Sequence, residues 1–219
     1  MSSANHYVNF DLEDRLWYDG RMVEKTRLRS VAREAIRADL AKVALAVFTE
    51  RGFDNVSAAD VAEAAGVSRS TFLRYFATKE EAVLSSLDPL GDTVAAALTA
   101  RPAGEDLWTA LRRCLEPLID QYRDEPAVAL SLAKLVDQSS SLTSARLDKQ
   151  ARWRRVLAGA VADRLEARDG TDPRPALLAG AALTAFEVAT ARWISSDGTA
   201  VLPDLVDEAF AYLTPAGAR

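Results

Sequence analysis

The chain has 219 residues, of which 49% are apolar and 27% charged, and a formal net charge of −5. That is room for one large domain or a small one joined to a larger one, with enough apolar content for a core. The lone cysteine, Cys114, excludes an intrachain disulfide and fits a reducing cytoplasm, acidic Asp11, Glu13 and Asp14 stand where a signal peptide would be apolar, and the net negative charge excludes a uniformly basic nucleic-acid binder but not a local basic patch.

Glycine and proline are sparse and spaced at helical lengths, no segment alternates as a strand would, and the one Asp-Gly pair, Asp169-Gly170, follows a long helical run as a stop signal. The expected fold is all-α. Residues 1–24 form an N-terminal extension of open role. Its four aromatics, Tyr7, Phe10, Trp17 and Tyr18, are too many for a typical disordered tail and suit a packed arm, and Met22 is a second candidate start. From Lys25 to Arg37 the chain carries Lys25, Arg27, Arg29, Arg33 and Arg37 against a single acid, Glu34, a run that fits a DNA-contacting arm or a solvated helix face.

The first clear helix is expected over 30–51, with Ile36, Leu40, Val43, Ala44, Val47 and Phe48 on one stripe and Gly52 as its stop. A short helix follows Ser57, an N-cap with Asp60 three residues on, and presents Val61, Ala62 and Ala65; Gly66 ends it, with Val67 as a plug. Ser68 caps a third helix with Phe72 and Phe76 on one face, and Thr78 with Glu81 opens a fourth. The break near Leu87–Asp88 separates an expected head, 25–87, from a larger unit, 88–219. There, helices are expected over about 89–99, 105–122 with a kink at Pro117, 126–138, 142–168 with Leu147, Ala151, Val161 and Leu165 to one side, 173–195, and from Pro203 onward. The most apolar stretch, Ala176 to Phe186, is interrupted by Glu187 and falls short of the ~20 residues of a membrane span.

Two short helices joined by a glycine turn make a helix-turn-helix, whose second helix enters the DNA major groove. In that arrangement Val67, Phe72 and Phe76 hold the second helix down, while Arg69, Ser70, Thr71, Leu73 and Arg74 are free to reach bases or phosphates. Tyr75 and Lys79 stand where backbone contacts are useful, and the helix starts near Ser57 and Thr78 offer free amides. A core hairpin with a polar outer face is the bland alternative, against which the off-face Leu73 and the near absence of acids between Arg69, Arg74 and Lys79 both count.

The stretch "RADLAKVALAVFTERGFDNVSAADVAEAAGVSRSTFLRYFATKEEAVLSSL", residues 37–87, resembles the DNA-binding domain of TetR/AcrR-type transcriptional regulators. The likeness lies in "FTERGF", "DVAEAAGVS" and "TFLRYFATKEE"; "TFLRYF" and the later "ARWRRVLAGAVADRLEA" are similar to the mycofactocin-regulator-like branch, whose ligands include acyl-CoA. The resemblance implies a three-helix helix-turn-helix head and a larger helical-bundle domain for effector binding and dimerisation. It places base reading on Arg69, Ser70, Thr71 and Leu73, and phosphate contacts on Ser57, Arg74, Tyr75, Thr78 and Lys79. Leu73 replaces an aromatic common in the family, and Ala58 and Ala59 replace base-reading types, which shifts sequence readout toward Arg69 and the basic arm. The function implied is a ligand-responsive regulator of a palindromic operator, a repressor released by a small, largely apolar effector.

The residues support a homodimer on their own account. The helix over 176–194 is apolar nearly all round and, with the helix over 203–214, would complete a four-helix bundle with a second copy. Trp108, Leu111, Leu115, Tyr122, Leu135, Trp153, Leu157 and Phe186 are candidates to enclose an effector, though each singly is also an ordinary core residue; Arg152, Arg154 and Arg155 form a basic cluster that would suit CoA phosphates. No enzyme, cofactor or metal site is expected: the one histidine is His6 in the extension, and no nucleophile elbow, glycine-rich phosphate loop or Cys/His ligand spacing occurs. The remaining alternative is a helix-turn-helix that binds protein without DNA, which salt dependence distinguishes.

Overall fold

The computed structural model describes residues 13–167 and 169–213, and among them every regular element is helical. The expectations for Tyr7 and Phe10 lie outside the described residues, as do the side chains of Trp17, Tyr18, Lys25 and Arg27.

Helix α1 runs Glu13–Arg51, well ahead of the expected start near Ser30. Residues 13–29 are dominated by Glu, Arg, Lys, Leu and Met, good helix formers that carry no apolar stripe, so periodicity gives no sign of them. The stripe itself begins later than expected: Leu40, Ala44, Val47 and Phe48 are buried, but Ile36 is 45% exposed. Three short helices follow, α2 (Ala58–Ala64), α3 (Arg69–Tyr75) and α4 (Lys79–Leu84), and a 3-10 turn (Ser85–Leu87) leads into α5 (Leu90–Thr99).

The expected helix over 105–122 is two helices, α6 (Leu107–Arg113) and α7 (Glu116–Asp124). Pro117 sits in the first turn of α7; it has no N–H for the Arg113 carbonyl and its ring would collide there, so the chain breaks rather than kinks. Then come α8 (Pro126–Asp137), α9 (Ser140–Arg164), α10 (Arg174–Ser195) and α11 (Leu202–Leu213). The stop of α9 is not Gly170. Glu166 takes the left-handed turn at φ 52°, its amide bonded to the Asp163 carbonyl and that of Ala167 to Ala162. Leu147 and Ala151 are exposed while Leu142, Leu157 and Val161 are buried, because α9 packs on α4 and α8 at one stage and on α5 and α10 at another, and no single stripe serves it.

Two apolar cores result. One joins α1–α4 around Phe48, Phe72, Phe76 and Leu84, and it also takes in Leu135 and Val136 of α8 and Leu142 of α9. The other is built by α5–α7 and α9–α11 around Leu98, Leu111, Leu115 and Phe186. Leu87 packs against both. Helix α10, at 22 residues, is long and apolar enough by itself to suit a membrane span, a correction to the shorter estimate; in this fold it packs against α9 and α11 and supplies nine buried residues.

Candidate nucleic-acid interface and ligand cavity

The position of α3 is fixed by local chemistry at both ends. The Ser57 hydroxyl accepts the Asp60 amide, and the Asp60 carboxylate takes the Ser57 amide at 2.7 Å, closing a box at the start of α2. Gly66 turns the chain left-handed at φ 68°, with its amide on Glu63 O and that of Val67 on Ala62 O. A Cβ on Gly66 would meet open space, so the backbone angle and not crowding calls for glycine. Ser68 then caps α3 through the Thr71 amide at 3.1 Å. Phe72 and Phe76, both fully buried with ring centroids 5.4 Å apart, clamp the helix onto the core.

The opposite face is left to solvent. Arg69, Ser70 and Arg74 are exposed, Leu73 is 38% exposed, and Thr71 and Tyr75 are half-buried. Among the described residues neither Arg69 nor Arg74 enters an ion pair, and the Arg74 guanidinium lies 5.9 Å from the Tyr75 ring centroid. The Ser70 and Thr71 hydroxyls both reach Ser68 Oγ at 2.9 Å.

Other cations on the predicted surface are engaged inside the protein. Lys79 donates to Phe53 O at 2.8 Å and Val56 O at 3.3 Å, with its ammonium 4.2 Å from the Phe53 ring centroid. Arg33 donates to Arg74 O at 3.2 Å, capping the C-terminal end of α3, and lies 5.5 Å from the Tyr75 ring. Arg37 pairs with Asp88 at 2.9 Å and Glu81 at 3.3 Å. Of the basic arm, Arg29 and Arg33 are exposed and Arg37 is half-buried. The starts of α2 and α4 already carry acids, Asp60 in one and Glu80 and Glu81 in the other, and the Thr78 hydroxyl accepts the Glu81 amide.

A cavity of about 680 Å³ lies between α5, α7, α8, α9 and α10. Of the eight candidates, Tyr122, Trp153 and Phe186 line it. Trp108, Leu111, Leu115 and Leu157 belong instead to the packed core built by α5–α7 and α9–α11, and Leu135 to the core around α1–α4. Helical spacing puts large residues on a buried side; it does not tell which buried sector meets a void. Tyr122 stands edge-on to Phe186 and Trp193, at 6.0 and 5.2 Å between centroids, and burial pushes its hydroxyl pKa up, countered by the charge of Arg146. The expected cluster Arg152, Arg154 and Arg155 does not line the cavity; its wall cations are Arg146 and Lys149, which sequence reasoning missed, although both stand on the Trp153 side of α9 at helical spacing. Cys114 is buried, and burial pushes its thiol up to about 12, leaving it a packing group.

An ionic junction at Asp88 ties α1 to α9. Burial alone would raise the Asp88 carboxyl, but its bonds from Lys149 and Arg37 outweigh burial and hold it below the ordinary carboxylate range.

Residues 105–217 match the family model described as the MftR C-terminal domain, and residues 40–84 match that of bacterial regulatory proteins of the tetR family. The HTH-type transcriptional regulator TcmR of Streptomyces glaucescens is 29% identical over 142 residues, covering 62% of this chain and 61% of TcmR. MftR of Mycobacterium tuberculosis, named for transcriptional regulation of mycofactocin biosynthesis, is 31% identical over 159 residues, 68% of this chain and 76% of MftR. Thermus thermophilus FadR, a TetR-family repressor solved with lauroyl-CoA, superposes with a TM-score of 0.51 at 20% identity over 84% of this chain and 98% of FadR, a likeness of fold.

Proposed function

Because the chain belongs to the TetR family of transcriptional regulators, we propose that it works as a homodimeric, ligand-responsive repressor that reads a palindromic operator with α3 and is released when an effector fills the cavity. The observation that carries this reading is the division of labour on α3: two fully buried phenylalanines fix the helix, and its outer face keeps Arg69 and Arg74 out of any ion pair among the described residues. The head is taken as 25–87, and the remainder, 88–219, as the effector and dimer unit.

The base-reading set is Arg69, Ser70, Thr71 and Leu73, with Arg74, Tyr75, Ser57 and Thr78 on the backbone. Lys79 contributes by holding the turn between α1 and α2 in place, and Arg33 and Arg37 by holding α3 and α4. The dimer face is supported by apolar residues left uncovered on and beside α10 and α11: Leu177 and Val188 of α10 are 67% and 51% exposed, Val201, the residue before α11, is 57% exposed, and Tyr212 of α11 is 82% exposed. Leu177 and Val188 are three helical turns apart and so share a face of α10, and α10 and α11 pack side by side. An effector with an apolar body suits the walls given by Tyr122, Trp153 and Phe186; acyl-CoA thioesters are one such class, as in the FadR complex.

The test is selection of DNA from a random-sequence pool by the full chain, followed by salt-titrated binding of the recovered site. Steep loss of affinity with salt, and further loss in Arg69→Ala, is expected. Recovery of no site, with a salt-insensitive protein partner found instead, would replace this reading with the protein-binding one.

A further inference from the structure

Lys149 belongs to two places at once: it lines the cavity, and its ammonium is bonded to Asp88 Oδ1. Asp88 follows the 3-10 turn that joins α4 to α5, and its other oxygen accepts Arg37 Nη2 at 2.9 Å. The same Arg37 nitrogen reaches Glu81 Oε1 at 3.3 Å, and its guanidinium lies 5.1 Å from the ring of Phe76, the residue that ends α3. Glu81 Oε2 accepts the Ala77 amide at 2.8 Å, one residue beyond. A continuous polar chain therefore runs from the cavity wall to the end of the recognition helix, through side chains only partly open to water and hence weakly screened.

We propose that Lys149–Asp88–Arg37 transmits the state of the cavity to α3, and that its trigger is a ligand whose anionic group reaches α9 and takes Lys149 from Asp88. The inference rests on the ligand-regulated reading above. The anionic class follows from the wall itself. Arg146, one turn before Lys149, also lines the cavity and is in no ion pair among the described residues, so α9 presents two cations on one side. The cavity's carboxylates, among them Asp137 and Glu187, stand on α7, α8 and α10, which directs an anion to α9. Captured, Lys149 leaves Asp88 a half-buried carboxylate with Arg37 alone, and the segment that follows α4 loses its ionic tie to α9, while α4 itself packs on both α1 and α9 and is placed to relay the change. A neutral ligand with the same tail fills the apolar walls and leaves the junction intact, because only a differential contact shifts an equilibrium.

The experiment is hydrogen exchange on the full chain, read in peptides covering 69–87, with sodium decanoate and 1-decanol as probes. Decanoate is expected to raise exchange there several-fold while protecting α9 and α10, and decanol to protect α9 and α10 only. Lys149→Gln should reproduce the rise without any probe and respond no further to decanoate; Lys149→Arg, which keeps the pair, should exchange as wild type. A folded Lys149→Gln with unchanged exchange over 69–87 overturns the proposal. So do equal effects of decanoate and decanol on the wild type, or no effect of decanoate on any peptide, a comparison that stands even if Lys149→Gln fails to fold. No DNA enters the measurement, so failure to find an operator and failure of this coupling are separate results.

Discussion

Gly91 of α5 and Trp153 of α9 meet with no space between them: a Cβ on Gly91 would stand 2.4 Å from Trp153 Cδ1 and 3.2 Å from its Cα. The second distance matters as much as the first. A ring can swing aside, but the α9 backbone can yield only if the two helices part. Gly91→Ala gains roughly 0.5–1 kcal/mol of helix propensity, and the overpacking should cost roughly 1–3 kcal/mol. Net destabilisation is therefore expected in chemical denaturation, together with a shifted tryptophan emission spectrum, since Trp153 also lines the cavity.

Lys79 and Arg69, one charge each on the same head, should separate cleanly into support and contact. The Lys79 ammonium serves two carbonyls and the face of Phe53. Lys79→Ala leaves those carbonyls without their partner in a partly buried site and should cost about 1–3 kcal/mol of stability. Arg69 is exposed and unpaired among the described residues, so Arg69→Ala should stay within about 0.5 kcal/mol of wild type while lowering the slope of log affinity against log salt by about 1. Urea denaturation and salt titration of both variants check this; a Lys79→Ala protein as stable as wild type would return that ammonium to the phosphate contacts.

What could be read in the sequence was what is local. Ser57 with Asp60, Ser68, and Thr78 with Glu81 announce helix starts because a cap needs only residues within one turn, and all three occur. Gly66 was legible for the same reason. What depends on distant partners was not. Arg33 and Arg37 add to a basic run by counting, yet one caps α3 and the other binds Asp88, 41 and 51 residues away. Leu135 lies on an apolar helix side like Tyr122 does on its own helix, but one packs under the head and the other faces the cavity. Periodicity finds the buried side of a helix; the neighbour is chosen by the fold.

Acid should loosen the Arg37–Asp88–Lys149 junction. The Asp88 pKa is depressed in the folded chain, because the Lys149 and Arg37 bonds outweigh the effect of burial. A depressed carboxyl contributes stability that is complete above its unfolded value of about 3.9 and is lost as pH falls through the lower folded value. Stability should thus decline below about pH 4 in the wild type, and Asp88→Asn should lose stability at neutral pH while showing a shallower decline. Denaturation midpoints from pH 6 down to pH 2 measure both; parallel curves for the two proteins would show that Asp88 is not one of the groups whose protonation destabilises the fold.

Val188 provides the sharpest test of the second copy. It is 51% exposed on α10, on the face it shares with Leu177, and within the single chain a charge there meets mostly water. Val188→Asp should therefore change the stability of the isolated chain little, within about 0.5 kcal/mol. In a two-fold dimer built on α10 and α11 the same carboxylate is buried twice, once from each subunit and near its own symmetry mate, and lacks a partner. Removing an unpaired charge from water costs several kcal/mol per ion, more than such an interface can absorb. Sedimentation equilibrium should show wild-type dimer and Val188→Asp monomer, and DNA affinity should fall with the loss of the second half-site while the salt response of the single head persists. A Val188→Asp protein that remains dimeric would place the interface on another face of the molecule.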